Sequence, residues 1–146
     1  MNTDTITIGD LGLEFFGTPA GFAPKIEDIE RVVRGESVRI CSTSNCERQI
    51  RIWDSKGLSW LVDLDRGVVL VLRILLAPLT RKKGAETQPL DVYTGLVHIG
   101  GHKVQGPNST DTGEIIRKIV IPRLGLVLVP ERKRICALLI GFTENE

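Results

Sequence analysis

The sequence predicts an α+β domain: a mainly antiparallel, twisted β-sheet of about seven to nine strands, built from meander hairpins, with one short helix covering part of a face. Two observations carry this. Residues 48–77 hold three strand-like segments in succession, separated by the turn signals "DSKG" and "DRG". Only one stretch, 24–35, repeats its apolar residues at helical spacing. The 146 residues fit one domain, 1–146, long enough to bury a core without covalent staples.

The elements follow in order. "TITIG" alternates Ile6 and Ile8 with threonines and reads as a strand; "GLEFF" returns after a Gly-Asp turn as a second. "GTPAGFAP" (17–24) reads as a loop. In "PKIEDIERVVRG", Pro24 suits the first helical position, and Ile26, Ile29 and Val33 form one apolar stripe. Early acids (Glu27, Asp28, Glu30) and late bases (Arg31, Arg34) complement the helix dipole, and Gly35 terminates the helix. "SVRICST" (37–43) is a strand. "RQIRIWD" (48–54) sets Ile50 and Ile52 on one face, with Arg51 and Trp53 on the other. Gly57 closes its turn at positive φ, and Gly67 closes the next. Between them "LSWLVDL" aligns Leu58, Trp60, Val62 and Leu64. "VVLVLRILLA" (68–77) is apolar on both faces, as a central strand is. "LDVYTGLVHIGG" (90–101) is a further strand between polar loops at 78–89 and 102–113. Residues 114–125 fit helix or strand, ending at Pro122. "LVLVP" and "RICALLIGF" flank "ERKR" as a closing hairpin.

Composition restricts function. Net charge is +1, which gives no bulk attraction to nucleic acid or an anionic membrane. Residues 1–30 carry six acids and one base; residues 31–143 carry 18 bases and 10 acids. That unevenness suggests an acidic end and a basic body, or the ordinary patchiness of a protein surface. Three cysteines, Cys41, Cys46 and Cys136, argue against a disulfide framework and for a reduced, cytoplasmic chain. The N-terminus lacks the basic-then-apolar pattern of a secretory signal. The longest apolar run, "GVVLVLRILLAPL", is broken by Arg73 and is too short to span a bilayer.

No chemistry-bearing constellation stands out. Cys41 and Cys46, His98 and His102 lack the paired spacing of a zinc site. There is no nucleophile elbow, and Asp63 and Asp65 read as turn formers. "GGHKVQG" matches no phosphate-binding loop. The basic clusters "RKK" (81–83) and "RKR" (132–134) lack the aromatic partners of a nucleic-acid face. The reading is therefore no enzyme, no cofactor, no metal, no nucleic acid and no membrane, with homo-oligomerisation left open.

Three segments together carry a resemblance: "IEDIERVVRGESVRI", "IRIWDSKGLSWLVD" and "VYTGLVHIGG". Over residues 25–101 their order resembles a family of small, largely uncharacterised bacterial domains found near polymorphic and contact-dependent toxins, some of them taken to be immunity proteins. The resemblance implies a cytoplasmic, non-catalytic protein that neutralises a cognate toxin or effector by binding it. The alternative is a small-molecule or lipid binder with a cavity between sheet and helix, and the third reading an enzyme with an unrecognised site. Trp60 belongs to the core by alternation. Trp53, if exposed, is the first candidate for a partner-binding anchor, with Arg51 and Asp54 beside it and Glu27 and Glu30 as acids on the helix. If another element covers Trp53, the hairpin is only architecture.

Overall fold

The computed structural model describes residues 5–77, 87–103, 124–131 and 134–142. The chain runs β1 (Thr5–Gly9), β2 (Gly12–Phe15), β3 (Thr18–Gly21), α1 (Ile26–Val32), β4 (Arg39–Ser42), β5 (Arg48–Trp53), β6 (Leu58–Asp63) and β7 (Val68–Leu75). Then follow β8 (Leu96–Ile99), β9 (His102–Lys103), β10 (Leu124–Glu131) and β11 (Arg134–Phe142). The fold class is α+β: mainly antiparallel strands with one short helix.

The strands divide between two sheets rather than one. The first has the order β3-β2-β1-β8-β9, the second β10-β11-β7-β6-β5-β4. Among the described residues every strand pairing is antiparallel except β1 with β8, which is parallel and sets Ile6 beside Val97 and Ile8 beside Ile99. The stretch read as a loop at 17–24 contains β3. Its Thr18, Pro19 and Gly21 pair with Phe15, Glu14 and Leu13, and Pro19 is tolerated because β3 is an edge strand.

One core fills the space between the sheets. Ile6, Ile8, Leu13, Phe15, Val97 and Ile99 from the first sheet join Leu58, Trp60, Val62, Leu72, Ile74, Leu138 and Ile140 from the second in a single buried cluster. The β6–β7 register shifts at Leu61/Val62: Leu61 pairs with Val71 and Val62 with Val69. This bulge lets Val69 and Leu72, three residues apart, both reach the core. Leu64, expected in the core, is exposed instead, because β6 ends at Asp63 and the turn carries Leu64 outward. Asp63 caps that turn: its carboxylate accepts the N–H groups of Asp65 and Arg66.

The helix is shorter than the 24–35 its sequence spacing predicts. Its flanking backbone is engaged elsewhere: the Ile26 N–H donates to Gly67 and the Val69 N–H to Pro24. Pro24 therefore precedes the N-cap, which is Lys25, and the Asp28 carboxylate accepts the Lys25 N–H. Ile29 and Val33 enter the core. Similarly, only Leu96–Ile99 of the 90–101 segment is strand, because residues 90–93 donate to other elements, Leu90 and Asp91 to Asp54 and Tyr93 to Leu75. The 78–89 and 102–113 loops and the 114–125 segment fall largely outside the described residues.

Candidate functional site

The β5–β6 loop decides where the tryptophans sit. Asp54–Lys56 form one turn of 3-10 helix and Gly57 follows with a φ of 69°. This four-residue loop pairs Trp53 with Leu58 and Arg51 with Trp60. Paired residues share a face, so Trp53 lies on the inner face with Trp60. It is only 3% exposed and belongs to the core, so the exposure required of a partner-binding anchor is not met, and its separation from the core face is corrected. The loop length held the signal: counting outward from 54–57 puts both tryptophans on one side.

Phe16 covers Trp53, and Tyr93 lies beside Phe16. Phe16 lies 5.6 Å from the Trp53 ring and 6.3 Å from Tyr93, and stacks on Phe15 at 4.6 Å. Its backbone is unusual: Phe16 and Gly17 form the two-residue β2–β3 turn with φ of 50° and 84°. That turn favours Asn-Gly, and a bulky side chain at its first position is strained by about 1 kcal/mol or more. The aromatic contacts hold the strained residue in place.

The other candidate residues divide among separate tasks. Arg51, mostly buried, donates to Glu30 on α1 at 2.5 Å and so ties helix to sheet. Asp54 accepts two bonds from Arg39, at 2.5 and 2.9 Å, and one from the Leu90 N–H. The Arg39 hydrogen bond, more than the Leu90 N–H, holds the Asp54 carboxyl below its ordinary range, and the same bond raises Arg39. Glu27 is exposed. The five residues thus form no single surface.

Two depressions flank this hairpin. At the C-terminal end of α1 lies an open recess of about 490 Å³. Phe16, Val32 and Trp53 contribute apolar surface; Arg31, Arg34, Lys56, Glu36 and Thr18 contribute polar groups. Three cations thus face one carboxylate, and Arg31 and Arg34 make no ion pair with a described residue. The Lys56 ammonium sits 6.0 Å over the Trp53 ring, and the Trp53 indole N–H is buried without a hydrogen-bond partner among the described residues. In the sequence Arg31 and Arg34 read only as helix-dipole partners; their convergence with Lys56 depends on a tertiary contact.

The second depression, about 240 Å³, lies on the outer face of the six-stranded sheet and includes Arg73. Burial alone lowers the Arg73 pKa, and no carboxylate among the described residues meets it. The sequence signal was visible, an arginine inside an apolar strand, but it read only as an interruption.

Among the described residues no group of three His, Cys, Asp or Glu side chains gathers as metal ligands would, and no helix is long and apolar enough to cross a membrane. Cys41 is half-buried, Cys46 exposed and Cys136 buried, and no disulfide joins any of the three. Comparison with known proteins finds no family model, no curated protein and no solved structure that matches the chain.

Proposed function

We propose that this protein is a non-catalytic, cytoplasmic binding module that neutralises a cognate toxin or effector protein by occupying its surface. The observation that supports the binding class is the recess at the end of α1. It joins an aromatic and aliphatic floor to three cations, and a strained Phe16 forms part of that floor. Strain of this kind collects at binding sites, where packing over-determines it. The recess suits an acidic segment that brings an apolar side chain onto Phe16 and Val32 while its carboxylates meet Arg31, Arg34 and Lys56. The toxin-neutralising form of the reading rests on the sequence resemblance over residues 25–101.

This moves the partner contact away from the expected acids. Glu30 spends its charge on Arg51, so the helix offers its basic end instead. The test is co-expression with the product of the neighbouring gene, scored by co-purification and by rescue of growth. The parent chain should form a stoichiometric complex. The exposed pair Arg31→Glu with Arg34→Glu should lose it while melting within about 2 °C of the parent, as surface substitutions do. A double variant that binds and rescues like the parent would refute the recess as the contact; a parent chain that neither binds nor rescues would refute the function.

A further inference from the structure

The groove at Arg73 lies on the opposite side of the six-stranded sheet from the core and from the recess. Its floor is two cross-strand rows. Ile50 pairs with Leu61 and Leu61 with Val71; Ser59 pairs with Arg73 and Arg73 with Leu139. All of these line the groove, and Gln88 joins them from the segment that crosses the hairpin. The surface is thus an apolar strip with one guanidinium, one carboxamide and two hydroxyls, those of Ser59 and Thr87.

Two of those polar groups lack partners among the described residues. The Arg73 side chain makes no hydrogen bond or ion pair with any described residue, although its neighbours on the floor are Ser59 and Leu139. The Gln88 Oε1 is buried and accepts no hydrogen bond from a described residue, whereas the Gln88 carbonyl takes one from Arg39. A partly buried guanidinium with no acid, beside a buried acceptor with no donor, is unfavourable for the chain alone. An apolar residue at position 73 would suit the same strand better. The arrangement becomes favourable when a ligand supplies both missing partners. Guanidinium selects a carboxylate through two parallel N–H···O bonds. The orphan acceptor selects an N–H or O–H, and the Ile50–Leu61–Val71 strip selects hydrocarbon.

We propose that the groove binds a small apolar carboxylic acid bearing a hydrogen-bond donor close to its carboxylate, the chemistry of an N-acylated apolar amino acid. The carboxylate meets Arg73, the amide N–H donates to Gln88 Oε1, and the side chain lies on the aliphatic strip. At about 240 Å³ the groove is below the usual range for drug-sized ligands, which limits the ligand to roughly one such residue. The same chemistry occurs as a free metabolite and as the C-terminal residue of a peptide. This site is independent of the recess and of the reading built on it.

The probe is N-acetyl-leucine, titrated into the full-length chain and followed by NMR and calorimetry. It should bind in the millimolar range or tighter, and N-acetyl-leucinamide, lacking the carboxylate, should bind about tenfold more weakly. Arg73→Met should lose about the same factor; Gln88→Leu should lose less. Arg73→Met should melt at or above the parent temperature, because it removes a cation that has no partner among the described residues; if it fails to fold, Arg73 has a structural partner and the proposal falls. A leucine-ended pentapeptide assigns the source: tighter binding than N-acetyl-leucine indicates a peptide C-terminus, weaker binding a free acid. Equal binding of acid and amide, or no binding of either at about 10 mM, overturns the proposal.

Discussion

Gly57→Ala tests how the β5–β6 hairpin is built. Gly57 has a φ of 69°, and a Cβ placed on it would strike the backbone of Val92 and Tyr93. Backbone cannot swing aside as a side-chain tip can. Gly67 supplies an internal control: its φ is 70°, but nothing lies within 4 Å of its would-be Cβ. Both alanine variants incur the left-handed backbone cost, about 1 kcal/mol. Only Gly57→Ala adds overpacking, about 1–3 kcal/mol. A chain of this size loses about 2–4 °C of melting temperature per kcal/mol, so Gly67→Ala should melt about 2–4 °C below the parent and Gly57→Ala about 4–16 °C below. Parallel thermal and urea melts measure both. The Gly57 carbonyl accepts the Leu75 N–H and the Leu75 carbonyl accepts the Tyr93 N–H, so the same clash should loosen residues 90–93 in hydrogen exchange. If the two variants melt within about 2 °C of each other, close approach at Gly57 is not what seats that segment.

Three further predictions concern the candidate residues. Asp54 has a depressed pKa, so its contribution is present above its unfolded pKa near 3.8 and is lost as pH falls below that toward the folded value. Asp54→Asn should therefore flatten the acid limb of stability below about pH 4, in melts taken from pH 5 downward; an unchanged limb counts against the Arg39 pair. Glu30→Ala leaves the mostly buried Arg51 without its acid and should cost about 1–3 kcal/mol by urea unfolding, with little further loss in the Glu30→Ala, Arg51→Ala double variant. Additive losses would mean the two residues act separately. Phe16→Asn should relieve the turn strain while uncovering Trp53, so acrylamide should quench tryptophan emission more strongly; unchanged quenching would show that Phe16 is not the cover.

Local signals made much of the fold legible, and their absence explains the rest. Residues 48–75 were readable because each turn carries its own chemistry, Asp54 through Gly57 and Asp63 through Gly67, and each strand pairs with the next. The helix was readable from its stripe, but not its ends, which depend on Gly67 and Val69. The sequence does not place Trp53, because the six-stranded sheet is apolar on both sides: Ile52 and Ala137 on the outer face are as buried as Trp60 within. Alternation then cannot say which face is inward. Pairing of β1 with β8 leaves no mark in either strand, since a parallel partner is joined by no turn. The convergence of Arg31, Arg34 and Lys56 was hidden for a related reason, being produced by contact between elements distant in sequence.

The β1–β8 ladder also sets the order in which the protein can be made. Thr5 pairs with Leu96, so the first sheet closes across a loop of about 90 residues, at an entropic cost of about 4 kcal/mol plus a constant. At about 5–20 residues per second, the ribosome needs about 5–20 s between the two strands. During that interval β1 has β2 on one side and an open edge on the other, with Ile6 and Ile8 lacking the Val97 and Ile99 that will lie beside them. Until residue 99 emerges the nascent hairpin thus presents that open edge, and synonymous codons that slow translation before that point should lower the soluble yield while leaving the melting temperature of the purified protein unchanged.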